Sequence, residues 1–276
     1  MTKDGLEAQD KRLRDFLEGY GSLVVAFSGG LDSVLLLAVA HDVLGDRMLA
    51  VTAVSPIYPR RERAAAEALA RALGVRFLQI ETGDVARADF AANPPERCYL
   101  CKRELFGKLR EIARKEKMAY VADGANADDL NDYRPGMRAA RELGVVSPLV
   151  EAGLTKEDIR ALSKRLGLAT WDKASSACLA SRIPYGEPIT REKLAMIEAA
   201  EEFLEALGFR QVRVRHHGNV ARIEVAPDEI ERLASAAVRE RVVHKLREIG
   251  YHYVCLDAEG YRTGSLNEVL PRDGTT

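Results

Sequence analysis

The stretch SLVVAFSGGLDSVLLLAVAHDVL, residues 22–44, constrains the fold of this chain more than any other. A short apolar, β-rich run (22–27) ends at two adjacent glycines and gives way at once to an apolar pattern of helical length. A strand that turns tightly into a helix is the repeating unit of a parallel sheet, because the helix carries the chain back before the next strand begins. The unit recurs. MLAVTAVS (48–55), VRFLQIET (75–82) and AYVADGAN (119–126) read as further strands. RRERAAAEALARALG (60–74), stopped by Gly74, and CKRELFGKLREIARKEK (101–117) read as helices. Strands this apolar are buried on both faces, so the expected fold is α/β, a doubly wound parallel sheet.

LTKEDIRALSKRLGL (154–168) predicts a helix that starts with the capping-box spacing Thr155-x-x-Asp158 and stops at Gly167. WDKASSACLASRIPYGEP, rich in small residues, glycine and proline, then reads as a long loop near a domain boundary. Beyond it come a helix (190–208), an alternating hairpin (211–225) turning near Gly218-Asn219, further helical segments and a strand (251–257). The expected organisation is an α/β domain over 1–185 and a smaller C-terminal α+β domain over 186–276.

Apolar residues make up 47% of the 276 and charged residues 30%, the balance of a globular protein. A formal net charge of −1 argues against bulk electrostatic binding to nucleic acid. The opening MTKDGLEAQDKRLRDFLEGY is charged throughout, without the apolar core of a signal peptide, and no apolar run approaches the roughly 20 residues that cross a bilayer. The expected location is the cytoplasm, with no membrane partner. Thiols are mostly reduced there, so four cysteines point to metal or catalytic chemistry before structural disulfides.

In FSGGLDS, Gly29 and Gly30 let the backbone turn and approach a ligand closely. Ser28, Ser33 and the free N–H groups at the helix start then suit phosphate oxygens. Asp32 is the odd member, since a carboxylate repels phosphate unless Mg2+ lies between them. The loop lacks the lysine of a Walker motif and the spacing of a dinucleotide fingerprint, while an ordinary strand–helix turn would need only its glycines. Asp123 and Gly124, at the end of a strand, stand where doubly wound folds bind ligands and are expected to line the nucleotide pocket. YRPG (133–136) reads as a turn.

NPPERCYLCKRELF (93–106) holds Cys98 and Cys101, a spacing that suits a redox disulfide, half a zinc site or part of an iron–sulfur site. The two share a face if the helix has begun there. Cys178 lies among small residues, with Lys173 and Arg182 near enough in sequence to favour a thiolate. Cys255 reads as a buried or half-buried packing thiol. Arg213 and Arg215 project from one face of a predicted strand, as phosphate ligands or as a solvated face.

The string SGGLDS after the first strand resembles the PP-loop of the N-type ATP pyrophosphatases. That resemblance implies cleavage of ATP between its α and β phosphates, transfer of AMP to a substrate oxygen and displacement of AMP by a nucleophile. Together with NPPERCYLCKRELF, DGANADDLNDYRPG, ELGVVSPLVEAGLTK, ACLASRIPYGEPIT and LDAEGYRTGSLNE, the chain resembles the LarE family of ATP-dependent sulfur transferases over residues 20 to 268. The resemblance implies action on pyridinium-3,5-biscarboxylic acid mononucleotide. Its carboxylates become thiocarboxylates on the way to the nickel-pincer nucleotide cofactor of lactate racemase.

The family donates sulfur in two ways: from a sacrificial cysteine matching Cys178, left as dehydroalanine, or from a sulfide on a 4Fe–4S cluster held by three cysteines. Cysteines stand at all three matching positions, Cys98, Cys101 and Cys178. Three thiolates leave one iron of a cluster open, whereas structural zinc takes four protein ligands, so the cluster mode is favoured. The cofactors implied are ATP, Mg2+ and a 4Fe–4S cluster. Asp32 and Cys178 are the implied catalytic residues, and the nucleotide is implied on Ser28, Gly29, Gly30, Asp32, Ser33, Asp123 and Gly124. Arg182, Arg213 and Arg215 are implied to bind the substrate, with Glu202 orienting Arg213 and Arg215 or binding metal. A homo-oligomer, hexameric in this family, is implied as well. A PP-loop enzyme that thiolates transfer RNA would be expected to carry a basic surface or an added RNA-binding domain. A ligase of the NAD synthetase type has no use for the cysteines, and a non-catalytic zinc module leaves SGGLDS unexplained.

Overall fold

The first sheet holds four parallel strands, β1 (Leu23–Ala26), β2 (Met48–Val54), β3 (Phe77–Glu81) and β4 (Tyr120–Ala122), in the order β3-β2-β1-β4. The computed structural model that shows it describes residues 3–131, 135–173, 177–262 and 264–269. Adjacent residues of β1 enter different cores. Leu23 and Val25 pack with Leu35, Leu36, Leu13 and Leu17, while Val24 packs with Leu49, Val51, Phe106 and Leu109. This two-sided burial is why the strand shows no polar alternation, and each such side chain contributes about 1.5–3 kcal/mol. The helix Leu31–Leu44 is apolar on nearly every side because it is buried, and the helices Arg60–Ala72 and Arg97–Lys115 complete the α/β pattern.

The strand order reverses beside β1: β2 and β3 lie to one side of it, β4 to the other. At such a switch point the loops leaving neighbouring strands diverge and open a crevice beyond their carboxyl ends. Residues 27–30 follow β1 and residues 123–126 follow β4, so both loops singled out in the sequence emerge there.

The chain divides into two units, Met1–Asp84 with Glu96–Ser176, and Val85–Pro95 with Ala177–Thr276. The division thus falls near residue 177 rather than 185, and the second unit also takes an earlier segment. Asn93 explains this. It is fully buried with φ 56°, and its side-chain amide donates to the carbonyls of Ile183 (3.2 Å), Pro184 (2.7 Å) and Glu187 (3.0 Å). Its own carbonyl accepts the Gly186 N–H at 2.9 Å. Hydrogen bonds ninety residues apart in sequence leave no periodic trace.

In the second unit β5 (Val212–His217) and β6 (Val220–Val225) form the expected hairpin, and β7 (Tyr253–Leu256) adds to β6 in parallel at the edge. Val214, Ile223, Leu204, Phe209 and Leu246 pack between this sheet and the helices Arg191–Ala206 and Ala236–Ile249. Cys255, read as a packing thiol, is exposed, because β7 buries little of either face. In YRPG, Tyr133 and Arg134 lie outside the described residues; Pro135 and Gly136 open the helix Pro135–Glu142 instead of a turn, since proline is tolerated where a helix begins. Among the described residues no helix is long and apolar enough to cross a membrane.

Candidate active site

The loop after β1 is held by its own serines. The Ser28 and Ser33 hydroxyls lie 3.1 Å apart, the Gly30 N–H donates to Ser28 Oγ at 3.3 Å, and Ser33 Oγ donates to the Gly30 carbonyl at 3.0 Å. Gly29 has φ +71°, and a Cβ there would lie 3.0 Å from the Cβ of Ala66. Gly124 packs at the helix start: a Cβ on it would lie 3.2 Å from the Ser33 nitrogen. The loop from β4 is thereby pressed against the N–H groups that a phosphate would need. Asp123 Oδ1 accepts from the Ser147 hydroxyl (2.8 Å) and the Ala125 N–H (3.2 Å), so its contribution is to shape that loop.

Two lysines join this loop, and sequence spacing connected neither to it. Lys156 Nζ pairs with Asp32 Oδ2 across 124 positions of sequence. Lys173 Nζ donates to the Gly29 carbonyl (3.0 Å) and pairs with Glu62 (2.7 Å). Lys173 was expected to act on Cys178; its ammonium is spent on the nucleotide loop. The other oxygen of Asp32, Oδ1, is buried with no hydrogen-bond partner. A buried carboxylate oxygen without a donor is costly, and a divalent cation is the natural acceptor of its lone pairs. That open oxygen is one ligand that a hard cation such as Mg2+ would accept.

Cys98 and Cys101 lie in the first turns of the helix Arg97–Lys115, which starts earlier than expected and includes both. Cys98 is exposed and Cys101 buried, with the Tyr58 hydroxyl 3.6 Å from its sulfur. Cys178, in the other unit, is half-buried at the start of the turn Leu179–Arg182. None of the cysteines is in a disulfide. Among the described residues no three Cys, His, Asp or Glu side chains stand together as a metal site.

The turn carrying Cys178 is fastened by Arg182. Its Nη1 donates to the carbonyls of Ala177 (2.7 Å) and Cys178 (2.9 Å) and to Ser181 Oγ (3.0 Å). Its Nε and Nη2 form a fork on Glu201, each at 2.9 Å, with both side chains almost fully buried. Glu201 Oε1 also accepts the Val214 N–H at 2.9 Å, joining the helix to β5. Glu202, expected to orient Arg213 and Arg215 or to bind metal, is the next residue and is exposed. Arg215 makes a second fork on Glu224, at 2.9 and 2.7 Å, and donates to the Ser181 carbonyl at 2.9 Å.

Arg182 and Arg215 are thus committed to carboxylates and carbonyls, and both brace the backbone beside Cys178. Arg213 differs. Burial, and then the neighbouring Arg182, hold its pKa down to about 10. Its guanidinium lies 5.2 Å from the ring of Tyr261.

The NAD synthase family matches this chain at residues 7–120, which contain the nucleotide loop. An uncharacterized protein of Methanocaldococcus jannaschii is 32% identical over 245 residues, 87% of this chain and 91% of that one. An uncharacterized protein of Synechocystis is 44% identical over 267 residues, 97% of this chain and all of the relative. The pyridinium-3,5-bisthiocarboxylic acid mononucleotide synthase of Lactiplantibacillus plantarum, a LarE protein, is 41% identical over 251 residues, 91% of this chain and 90% of that one. The chain belongs to the LarE family. As a LarE protein it is an ATP-dependent sulfur transferase, and the PP-loop resemblance of SGGLDS is explained. The buried Glu201 and the two lysines are features of the LarE site that spacing did not predict.

Proposed function

We propose that this LarE protein adenylates the carboxylates of pyridinium-3,5-biscarboxylic acid mononucleotide and replaces an oxygen of each with sulfur, giving thiocarboxylates for a nickel-pincer nucleotide. The observation that carries this reading is the serine-lined loop with the unpartnered Oδ1 of Asp32, in a chain closely similar to the synthase. A carboxylate is a poor electrophile with a poor leaving group, and AMP corrects both defects. The Ser28 and Ser33 hydroxyls and the N–H groups opening the helix hold the phosphates, while Asp32 Oδ1 would hold Mg2+, which would supply positive charge for the pyrophosphate. Gly124 leaves room for that approach. Arg182 and Arg215 keep the Cys178 turn rigid, and Arg213 attracts the anionic substrate.

Cys98, Cys101 and Cys178 would hold a 4Fe–4S cluster, which supplies an open iron able to carry the sulfide for transfer. Cys98 and Cys101, one helical turn apart, suit two of its ligands. A second reading makes Cys178 the sole donor, and it is favoured by the Arg182 bonds to the Ala177 and Cys178 carbonyls, which fasten the turn that carries this one thiol. Its thiolate attacks the acyl adenylate and expels AMP. Loss of the Cα proton then breaks the Cβ–S bond, leaving the thiocarboxylate and dehydroalanine. We further propose that the protein works in the cytoplasm as a homo-oligomer, hexameric as the resemblance implies; light scattering would read that state.

Anaerobic purification with iron and sulfide analysis tests the donor. About four irons per chain, lost on changing any of the three cysteines to Ala, is the expected result. A colourless protein whose Cys178 loses one hydrogen sulfide on turnover, seen in the intact mass, replaces the cluster with the sacrificial mode. Absence of both pyrophosphate release and thiocarboxylate formation from Mg-ATP and substrate would overturn the reaction itself.

A further inference from the structure

The helix Arg97–Lys115 opens with Cys98 and Cys101, and one of its sides is basic. Arg103, Arg110 and Arg114 fall within about 40° of one another around the axis, with Tyr99 at their border. All three arginines are exposed, and among the described residues none of them forms an ion pair. Gly107 lies between them on the same side, and a Cβ there would meet nothing within 4 Å, so the face is open at that point. The Arg103 guanidinium lies 5.6 Å from the centre of the Tyr99 ring. That of Arg138, on the helix Pro135–Glu142, lies 4.0 Å from it, and the Tyr99 hydroxyl donates to Glu142 at 2.6 Å. Other exposed helix faces of this chain look different. Lys11 pairs with Asp15, and Arg71 with Glu67, one turn apart. Arg110 and Arg114 are also one turn apart, yet both are positive, an arrangement that costs helix stability. The helix dipole accounts for Arg114 in the last turn, but not for Arg103 or Arg110.

We propose that this face docks an acidic protein, whose carboxylates supply the counter-charges that the chain itself withholds. Charge complementarity selects the partner: guanidiniums without carboxylates of their own offer forked donors that match a carboxylate. From Arg103 to Arg114 the stripe runs about 16 Å along the helix axis, a length that suits a protein surface rather than one small anion. The Tyr99 ring is engaged by two guanidiniums, whereas a face for single-stranded nucleic acid presents free rings on which bases stack. The stripe begins beside Cys98, so a docked protein lies against the helix that carries both cysteines.

Fluorescence anisotropy of a labelled oligoglutamate peptide, long enough to span the helix, tests the face in the full-length protein. The parent is expected to bind the peptide, more weakly as salt rises. Arg103→Glu combined with Arg110→Glu should weaken binding about 10-fold or more, because it sets like charges opposite each other. Arg103→Gln with Arg110→Gln, which only removes charge, should lose less. The unfolding midpoint is read for each variant, and the Gln pair carries the comparison if the charge reversal unfolds. An equal reversal on the exposed side of the helix Ala236–Ile249, Arg239→Glu with Arg241→Glu, should leave binding close to the parent's. Equal losses in the two reversals overturn the proposal, since they report overall charge alone. A parent that binds no peptide at low salt, or Arg103 and Arg110 variants that bind it unchanged, overturns it too. A single-stranded RNA that binds the parent more tightly than the peptide, and is lost in the same variants, makes the face a nucleic-acid surface instead. A smaller assembly for the Arg103 and Arg110 reversal in light scattering assigns the face to an interface between copies of this chain and likewise overturns the proposal.

Discussion

Glu201 and Glu202 are separated by one position and about 100° around their helix, and that rotation decides which one meets Arg182. Changing Glu201 to Ala strands a buried guanidinium and is expected to cost about 3–5 kcal/mol, read from urea unfolding. Glu202→Ala, on the exposed side, should stay within about 0.5 kcal/mol of the parent. The glycines of the nucleotide loop separate strain from obstruction. Gly29→Ala meets both a left-handed backbone and the Ala66 methyl at 3.0 Å, so it should lose about 1–2 kcal/mol from backbone strain alone. Gly124→Ala has no such backbone penalty but sets a methyl 3.2 Å from the Ser33 nitrogen. It should weaken ATP binding in a calorimetric titration while the unfolding midpoint hardly moves.

Helix ends are where elements were most and least legible. The Thr155–Asp158 capping box was readable because its two partners lie within one turn, and the structure contains it, with Thr155 accepting the Asp158 N–H. Thr155→Ala should cost about 1 kcal/mol, measured by thermal or urea unfolding. The helix Pro135–Glu142 went unread because proline followed by glycine looks like a turn, although proline suits a first helical position. The helix bearing Cys98 and Cys101 starts at Arg97, before the point its apolar period marks, because the opening turn has no repeat to display. β7 was recognised as a strand by its alternation, yet alternation alone does not say whether a strand lies at an edge. That position is what leaves Cys255 exposed.

Across the whole molecule, acid should destabilise the fold in part through β5. Burial lowers the pKa of His216, with Glu187 opposing and Lys193 and His217 reinforcing the shift, while its Nδ1 lies 3.2 Å from the Tyr251 hydroxyl. Burial likewise lowers His217, helped by Arg222 and Arg215 and opposed by Glu187 and Glu224. The unfolded chain therefore takes up these protons first. The associated stability is present above about pH 6.5 and is lost as pH falls from there through the folded values. Urea midpoints measured on the acid side should fall less steeply in His216→Asn than in the parent. The sequence by itself determined the parallel α/β sheet, the hairpin unit, the nucleotide loop and the cysteine set, because periodicity and short motifs record interactions between near neighbours. Only the tertiary structure decided where the units divide, which glutamate holds Arg182, and that Lys156 and Lys173 serve the nucleotide loop. Those choices rest on single contacts between residues far apart in the chain, and such contacts impose no local pattern on it.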